Sequence, residues 1–79
     1  MSLIEISVGE PCSLVSTSLG PDATKYAAAG VSPGRTARVL ARYPAHSPRY
    51  LEVELDGERL ITLPADFAAS VFVRQVNSP

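Results

Sequence analysis

The sequence predicts a mostly β fold: a small five-stranded barrel with one short helix after the first strand and a helical turn before the last strand. Short segments of alternating apolar and polar residues, separated by strong turn signals, predict the strands. An alanine-rich segment that ends at a glycine predicts the helix. Because the chain has only 79 residues, we expect the sheet to curl and close, since open edges invite aggregation.

The predicted strands lie between turn-forming residues, at 12–17, 36–43, 50–55, 59–63 and 70–76. We expect an apolar lead-in over residues 1–9 to cover a barrel edge. A single helical turn is expected within 64–69, and residues 77–79 are expected to form a tail. No linker, repeat or low-complexity run divides the sequence, so we expect one domain over 1–79 with its core at about 8–76.

The helix is predicted over residues 23–29. Asp22 is expected to be its N-cap, because a short carboxylate can accept a hydrogen bond from a free backbone N–H of the first turn. Gly30 is expected to end the helix in a left-handed conformation, which other residues adopt only at a cost. Val31 is placed to make the apolar contact that often seals such a terminus.

The second strand follows a turn at Pro33 and Gly34, residues typical of a type II turn. It is predicted to alternate throughout, with Ala37, Val39, Ala41 and Tyr43 on one face and Thr36, Arg38, Leu40 and Arg42 on the other. The positions that define the predicted turns and strand ends are Gly30, Pro33, Gly34, Asp56, Gly57 and Leu63.

The hairpin between the third and fourth strands is predicted from Asp56-Gly57, because a two-residue type I′ turn needs positive φ at both central positions. Such a turn would place Arg59 opposite Glu54 and Leu60 opposite Val53.

The net charge of −1, from seven basic and eight acidic residues, argues against a dedicated nucleic-acid-binding protein, whose affinity comes mainly from cations. The charges form two adjacent blocks: arginines at 35, 38, 42 and 49, then Glu52, Glu54, Asp56 and Glu58. We expect these blocks to compensate each other across paired strands. That pairing also explains Glu52 and Glu54 better than acid–base catalysis does.

One cysteine, Cys12, permits no disulfide within the chain, which is compatible with a reducing compartment. The first residues lack the pattern of a secretory signal, and no apolar run is long enough to span a membrane. We therefore expect a cytoplasmic protein that meets a membrane only through a partner.

No arrangement of residues suggests catalysis. His46 is the only histidine, so a nucleophile would have a single candidate base and no orienting group. One histidine, one cysteine and scattered carboxylates offer no metal-ligand spacing. We expect no enzyme, no catalytic residue, no cofactor and no dedicated metal site, with at most weak binding of a transition metal.

The surface is the remaining candidate for function, because tyrosine and arginine are enriched at interface hot spots. The candidate partner contacts are Lys25, Tyr26, Arg38, Arg42, Tyr43, His46, Arg49 and Tyr50. Tyr43 and Tyr50 flank the loop at 44–48, and a structural role for these two is an equal alternative. A weak homo-oligomer is also open.

The order and spacing of these features resemble the FeoA family, ferrous iron transport protein A. The segment KYAAAGVSPG at 25–34 is similar to the family's helix-to-strand junction. The stretch 60–63, the aliphatic strand at 71–73 and the opening at 9–15 are similar to later and earlier family elements. The resemblance covers roughly residues 8–76 and implies an SH3-like barrel. Family members usually carry large aliphatics on the helix, where this chain has Tyr26 and alanines, so we expect shallow packing there or an exposed tyrosine.

The resemblance implies a small cytoplasmic accessory protein of ferrous iron uptake. Its partner would be FeoB, the permease with an N-terminal GTPase domain, to which any nucleotide would belong. Two alternatives stay open: a nucleic-acid-binding or transcription-related barrel, and a docking subunit of another complex. The same module occurs fused to metal-dependent repressors.

Overall fold

The computed structural model describes residues 1–17, 21–44 and 46–76. Its elements in chain order are β1 (Pro11–Ser16), α1 (Pro21–Ala28), β2 (Thr36–Tyr43), β3 (Tyr50–Leu55), β4 (Arg59–Pro64), α2 (Ala65–Ala68) and β5 (Phe72–Gln75). Residues 18–20, between the first predicted strand and the helix, and the tail predicted at 77–79 lie outside the described residues. Within them, the predicted order of strands, helix and helical turn is confirmed.

The five strands form one antiparallel sheet in the order β4-β3-β2-β1-β5. Each strand contributes buried side chains to the same core: Leu14, Val39, Val53, Leu63 and Val73 are each at most 6 % exposed. Strands at opposite edges of a sheet share one core only if the sheet curls. The short helix α2 links β4 to β5 and contributes the buried Phe67 to this core. The architecture is the expected SH3-like barrel, but the expected closure is incomplete, because β4 and β5 are the two edges of the described sheet and do not pair with each other.

The lead-in covers the outer edge of β5. The N–H of Leu3 donates to the Val71 carbonyl at 2.8 Å, and the N–H of Val73 donates to the Met1 carbonyl at 2.8 Å. Leu3 and Ile6 are each 1 % exposed. The lead-in therefore pairs with the beginning of this edge, at Val71 and Val73.

The start of α1 differs from the prediction. The helix begins at Pro21, so Asp22 lies in its first turn and is not the N-cap. Proline is favoured at the first helical position, since its fixed φ suits the helix and its missing N–H would have no intrahelical partner there. The Asp22 carboxylate still favours this end of the helix through the macrodipole.

The end of α1 is as predicted. Gly30 has φ of +113° and is buried. The N–H of Val31 donates to the Tyr26 carbonyl at 2.9 Å and that of Gly30 to the Ala27 carbonyl at 3.0 Å. This pair of bonds is a Schellman motif, and Val31, 1 % exposed, supplies its apolar contact.

The predicted type II turn is also present: Gly34 has φ of +91°, and the N–H of Arg35 donates to the Ser32 carbonyl at 3.3 Å. The Arg35 guanidinium then donates to Asp56 at 2.7 Å. Asp56 also accepts the backbone N–H of Thr36 at 3.2 Å. The turn before β2 is thereby tied to the hairpin turn between β3 and β4.

The predicted hairpin register is wrong by one residue. Asp56 and Gly57 have the expected positive φ values, +53° and +71°, but Glu58 also belongs to the loop, so Arg59 pairs with Leu55 and Leu60 with Glu54. The side-chain period of a strand explains the outcome, because a slip of one residue would reverse the faces of β4. In the observed register Ile61 and Leu63 lie opposite Val53 and Leu51 on the core side.

The predicted alternation of β2 fails at its centre. Val39 pairs with Val53 and Ala41 pairs with Glu52, so Leu40 is an extra residue in a β-bulge. The bulge reverses the faces of the residues that follow it. Beyond it, Arg42 lies opposite the buried Leu51, on the core side.

The guanidinium of Arg42 is used inside the fold. Its Nη2 donates to the carbonyl oxygens of Ile4, at 3.1 Å, and Ile6. These carbonyls belong to the lead-in, which also pairs with β5. Arg42 therefore holds the lead-in against the barrel, and its predicted contact with a partner stays a prediction.

The helix packs shallowly, as expected from its alanines. No residue of α1 is fully buried. Its main contact is Tyr26, half-buried, whose ring lies 4.5 Å from that of Phe67 in α2 with an interplanar angle of 36°.

We predict that Gly30→Ala lowers the free energy of unfolding by about 2 kcal/mol, because a side chain at this positive φ is strained. Its added Cβ would also lie 3.2 Å from Leu55 Cδ1. Gly34→Ala is the control, since its φ is also positive but no atom lies within 4 Å of the added Cβ; it should cost about 1 kcal/mol. Urea denaturation measures both, and equal losses would contradict the close contact at Gly30.

We predict that Arg42→Ala lowers the free energy of unfolding by about 2 to 3 kcal/mol, because it removes a charged donor from two carbonyl groups. Arg49→Ala, at an exposed position nearby in the chain, should change it by less than about 0.5 kcal/mol. Thermal and urea denaturation provide the comparison. An unaltered Arg42→Ala variant would show that the lead-in does not depend on this side chain.

We predict an acid-dependent contribution from Asp56. The Arg35 guanidinium and then the Thr36 N–H hold the pKa of the Asp56 carboxyl below its usual range. A lowered folded-state pKa gives stability that is present above the unfolded pKa, about 4, and is lost as the pH falls through the folded value. Asp56→Asn keeps a residue that tolerates positive φ, so its stability should fall below wild type at pH 7 and approach it at pH 2. A gap that does not change with pH would contradict this.

Candidate partner-binding face

The outward side chains of β2, β3 and β4 form one continuous surface, which we call the outer face. At one end of it Tyr43 pairs with Tyr50, and Tyr50 pairs with Pro64 across the next strand. The two tyrosines are 54 % and 53 % exposed. The bulge in β2 sets this arrangement, because it directs Tyr43 outward after Arg42 has turned inward.

Two carboxylates occupy the middle of the outer face. Glu52 and Glu54 are half-buried on β3, and the Tyr43 hydroxyl lies 3.5 Å from Glu52 Oε2. Arg38 is the cross-strand neighbour of Glu54. Among the described residues, however, the ion pair closer than 4 Å is Arg35–Asp56. The expected compensation between the two charge blocks is therefore confirmed only at that pair.

The β4 side of the outer face carries Leu60, Thr62 and Pro64. Leu60 lies opposite Glu54 on β4 and is 60 % exposed. Sequence reasoning missed Leu60 and Pro64 as parts of a surface, because the face on which they lie depends on the register of β4. It attributed the two glutamates to pairing with arginines. The signal was present in the alternation of residues 50–55, which already separates Glu52 and Glu54 from the core.

The loop after β2 is anchored through backbone groups. The N–H of Arg49 donates to the Tyr43 carbonyl at 2.9 Å, and the Arg49 carbonyl accepts the N–H of Ala65 at 2.8 Å. The side chains of Arg49 and His46 are exposed. The structure therefore brings Tyr43, Arg49 and Tyr50 to one end of the sheet, with the loop that carries His46.

The other predicted contacts lie apart from the tyrosine pair. Arg38 is exposed but stands on β2 before the bulge, next to Pro11 of β1. Lys25 is exposed on α1, with Nζ 5.3 Å from the centre of the Tyr26 ring. Tyr26 itself packs on Phe67. Lys25 and Tyr26 therefore belong to α1 and not to the outer face, whereas Arg38 shares the outer face with Tyr43 and Tyr50, beside Glu54.

A cleft of about 430 Å³ separates the end of α1 from the β3–β4 hairpin; it is lined by Gly30, Arg35, Leu55, Asp56, Glu58, Arg59 and Leu60. Its cations already have partners within the chain. Arg59 donates to the Ala29 carbonyl at 2.8 Å, and Arg35 is paired with Asp56. The cleft is large enough for a small ligand, but its two arginines are already bonded within the chain.

The cysteine is a core residue, as expected. Cys12 is fully buried, and its thiol donates to the Ala37 carbonyl at 3.4 Å. Burial, and to a smaller extent the charge of Glu10, raises the pKa of this thiol. Among residues 1–17, 21–44 and 46–76, no three His, Cys, Asp or Glu side chains are grouped so that they could hold a metal ion. In the same residues, neither helix has the length and apolar character needed to cross a bilayer.

A protein-family model and several solved structures match this chain. The model of the FeoA domain family matches residues 1–75, whereas no curated protein sequence matches the chain. Among solved structures, the FeoA protein from Chlorobium tepidum has a TM-score of 0.83 and 24 % identity, over 98 % of this chain and 71 % of its own. Iron(II) transport protein A from Clostridium thermocellum has a TM-score of 0.81 and 22 % identity, over 96 % of this chain and 46 % of its own.

A manganese-dependent transcriptional repressor in complex with manganese has the same fold, with a TM-score of 0.82 and 23 % identity. The match covers 96 % of this chain and 36 % of the repressor chain. The chain thus spans about a third of the repressor and under half of the Clostridium thermocellum protein. These structural likenesses establish the fold, and the family model, which matches almost the whole length, establishes that this chain belongs to the FeoA family, which is associated with ferrous iron transport.

Proposed function

We propose that this chain is a cytoplasmic accessory protein of ferrous iron uptake that binds and regulates the GTPase domain of a FeoB-type permease without itself catalysing a reaction. Membership of the FeoA family over residues 1–75 carries the link to iron transport. The exposed pair of Tyr43 and Tyr50 supports a binding role and indicates where the partner would bind.

The tyrosine end of the outer face is the proposed centre of the contact. Tyr43 and Tyr50 are adjacent on neighbouring strands and each is more than half exposed, so a partner can bury large, rigid side chains at little entropic cost. The exposed Arg49 beside them is of a type favoured at hot spots. His46 lies on the same loop and would contact the rim.

The charge of the outer face favours a partner with cationic groups beside an apolar depression. Glu52 and Glu54 stand next to the tyrosine pair. Carboxylates at an interface mainly raise the association rate and set the orientation of a complex. Binding should therefore weaken as the salt concentration rises.

Regulation of a GTPase by a non-catalytic partner requires that the partner bind its nucleotide states with different affinities. A ligand that binds two states equally shifts neither population. We therefore propose that the outer face prefers either the GTP-bound or the GDP-bound form of the permease domain.

Nucleic-acid binding is the weaker alternative. The net charge is −1, and carboxylates occupy the middle of the outer face. Affinity for a polyanion depends on several cations that contact phosphates together. Here Arg35, Arg42 and Arg59 are already bonded within the chain.

Binding can be measured by biolayer interferometry with the purified GTPase domain in its nucleotide-free, GDP-bound and GTP-analogue-bound forms. We expect Tyr43→Ala and Tyr50→Ala each to weaken binding by about 30-fold, the effect of losing roughly 2 kcal/mol at a hot spot. Phe72→Ala is the matched control, because Phe72 is an aromatic residue on β5 with a similar exposure of 53 %. It should bind like wild type.

Two results would contradict the proposal. If the GTPase domain does not bind in any nucleotide state, it is not the partner of this chain. If Phe72→Ala weakens binding as much as the tyrosine variants do, the tyrosine pair is not the centre of the contact.

A further inference from the structure

The outer edge of β4 carries unpaired backbone groups. The N–H of Ala65 donates to the Arg49 carbonyl at 2.8 Å, and the N–H of Asp56 donates to the Thr36 carbonyl at 2.9 Å. Odd-numbered residues of β3 therefore bond towards β4, and even-numbered ones towards β2. In the observed register, the N–H and C=O groups of Leu60 and Thr62 must then point away from β3.

In the described part of the chain, the protecting residues of this edge are Arg59 and Pro64, at the two ends of β4. No backbone hydrogen bond outside the sheet ladder involves Leu60 or Thr62 among those residues. Natural edge strands are usually shielded by charged side chains, prolines, bulges or a covering segment. β5 has such a cover in the lead-in, whereas β4 presents the uncharged run 60–63 with Leu60 60 % exposed.

We propose that β4 pairs with β4 of a second copy of this chain, antiparallel and about a two-fold axis, with Leu60 opposite the partner's Thr62. This pairing joins the two sheets edge to edge. It does not rest on the proposed role in iron uptake.

The free groups of β4 select this register. Pairing Leu60 with the partner's Thr62, and Thr62 with the partner's Leu60, gives four hydrogen bonds and uses every free N–H and C=O of these residues. A shift that sets Thr62 against the partner's Thr62 would bring Leu60 to Pro64, which has no N–H. The opposite shift would need the N–H of Glu58, which already donates to the Leu55 carbonyl at 3.0 Å.

The side chains suit the same register. Ile61 would lie beside the partner's Ile61, and Arg59 beside the partner's Leu63. No charged residue would face a like charge, which is the usual obstacle to pairing identical strands. A second copy therefore fits this edge by its own symmetry. Because the contact is short, we expect a weak dimer, in fast exchange with monomer.

Disulfide trapping tests the register directly. Ile61 and the partner's Ile61 would form a non-hydrogen-bonded pair, with Cα atoms about 4.5 Å apart, which a disulfide can bridge. Leu60 and the partner's Leu60 would be diagonal neighbours about 7 to 8 Å apart, beyond that reach. Under mild oxidation, Ile61→Cys should give a covalent dimer and Leu60→Cys should stay largely monomeric. The native Cys12 is fully buried and serves as the background in both.

A second measurement keeps the fold intact. Thr62→Pro removes an N–H that bonds nothing in the monomer, and edge strands accept proline when the N–H would face solvent. Sedimentation equilibrium at the concentrations used for NMR spectroscopy should show association in wild type and in Thr62→Val, which keeps the N–H. The association constant of Thr62→Pro should be at least tenfold lower, with an unchanged circular dichroism spectrum.

The outcomes separate cleanly. A wild-type chain that stays monomeric, with no dimer of Ile61→Cys, would overturn the proposal. Cross-linking of Leu60→Cys in place of Ile61→Cys would overturn the register. Loss of GTPase-domain binding in Thr62→Pro, with no self-association in wild type, would assign the edge to that partner instead. Self-association without any binding of the GTPase domain would leave this proposal standing and remove only the proposed function.

Discussion

Leu51, Val53 and Leu55 bury almost their whole side chains along β3, each at most 2 % exposed. Because successive side chains of a strand point to opposite faces, this burial forces the even-numbered residues between them outward. β3 is the central strand of the β2–β3–β4 half of the sheet. Its alternation therefore decides what the barrel encloses and what it offers to a partner.

The two neighbouring strands adjust to β3, each with one extra residue. In the loop before β4, Glu58 lengthens the hairpin and brings Leu63 opposite Leu51 in the core. In β2, Leu40 is inserted as a bulge. That bulge has two consequences from one cause: Arg42 turns inward to the lead-in carbonyls, and Tyr43 turns outward to meet Tyr50.

Local chemistry made much of the fold predictable. The glycine at the end of α1, the Pro-Gly turn and the positive φ of Asp56 and Gly57 follow from residues that few other conformations suit. The registers were not predictable in the same way. A single extra residue costs little locally, and its position is chosen by the burial of side chains that lie far apart in sequence. The one hint of the bulge was the difference in length between β2, with eight residues, and its partner β3, with six.

The candidate site was predictable in its residue types and not in its grouping. Tyr43, Arg49 and Tyr50 were expected as contacts and lie together, because a loop joins their strands. Arg42 was also expected as a contact, and its guanidinium holds the lead-in. Glu52 and Glu54 were expected to pair with arginines, and their place beside Tyr43 and Tyr50 becomes visible only once the outer face is assembled from the registers.

The outer face is the surface that the strand pattern of this chain builds, and the proposed binding role depends on it. The most direct test is an NMR titration of the isotopically labelled chain with the unlabelled GTPase domain of the permease. We expect amide signals to shift or broaden at Tyr43, Tyr50 and Glu52, while those of α1 stay unchanged. Changes centred on α1, or no change at saturating concentrations, would contradict the assignment of the outer face as the partner-binding surface.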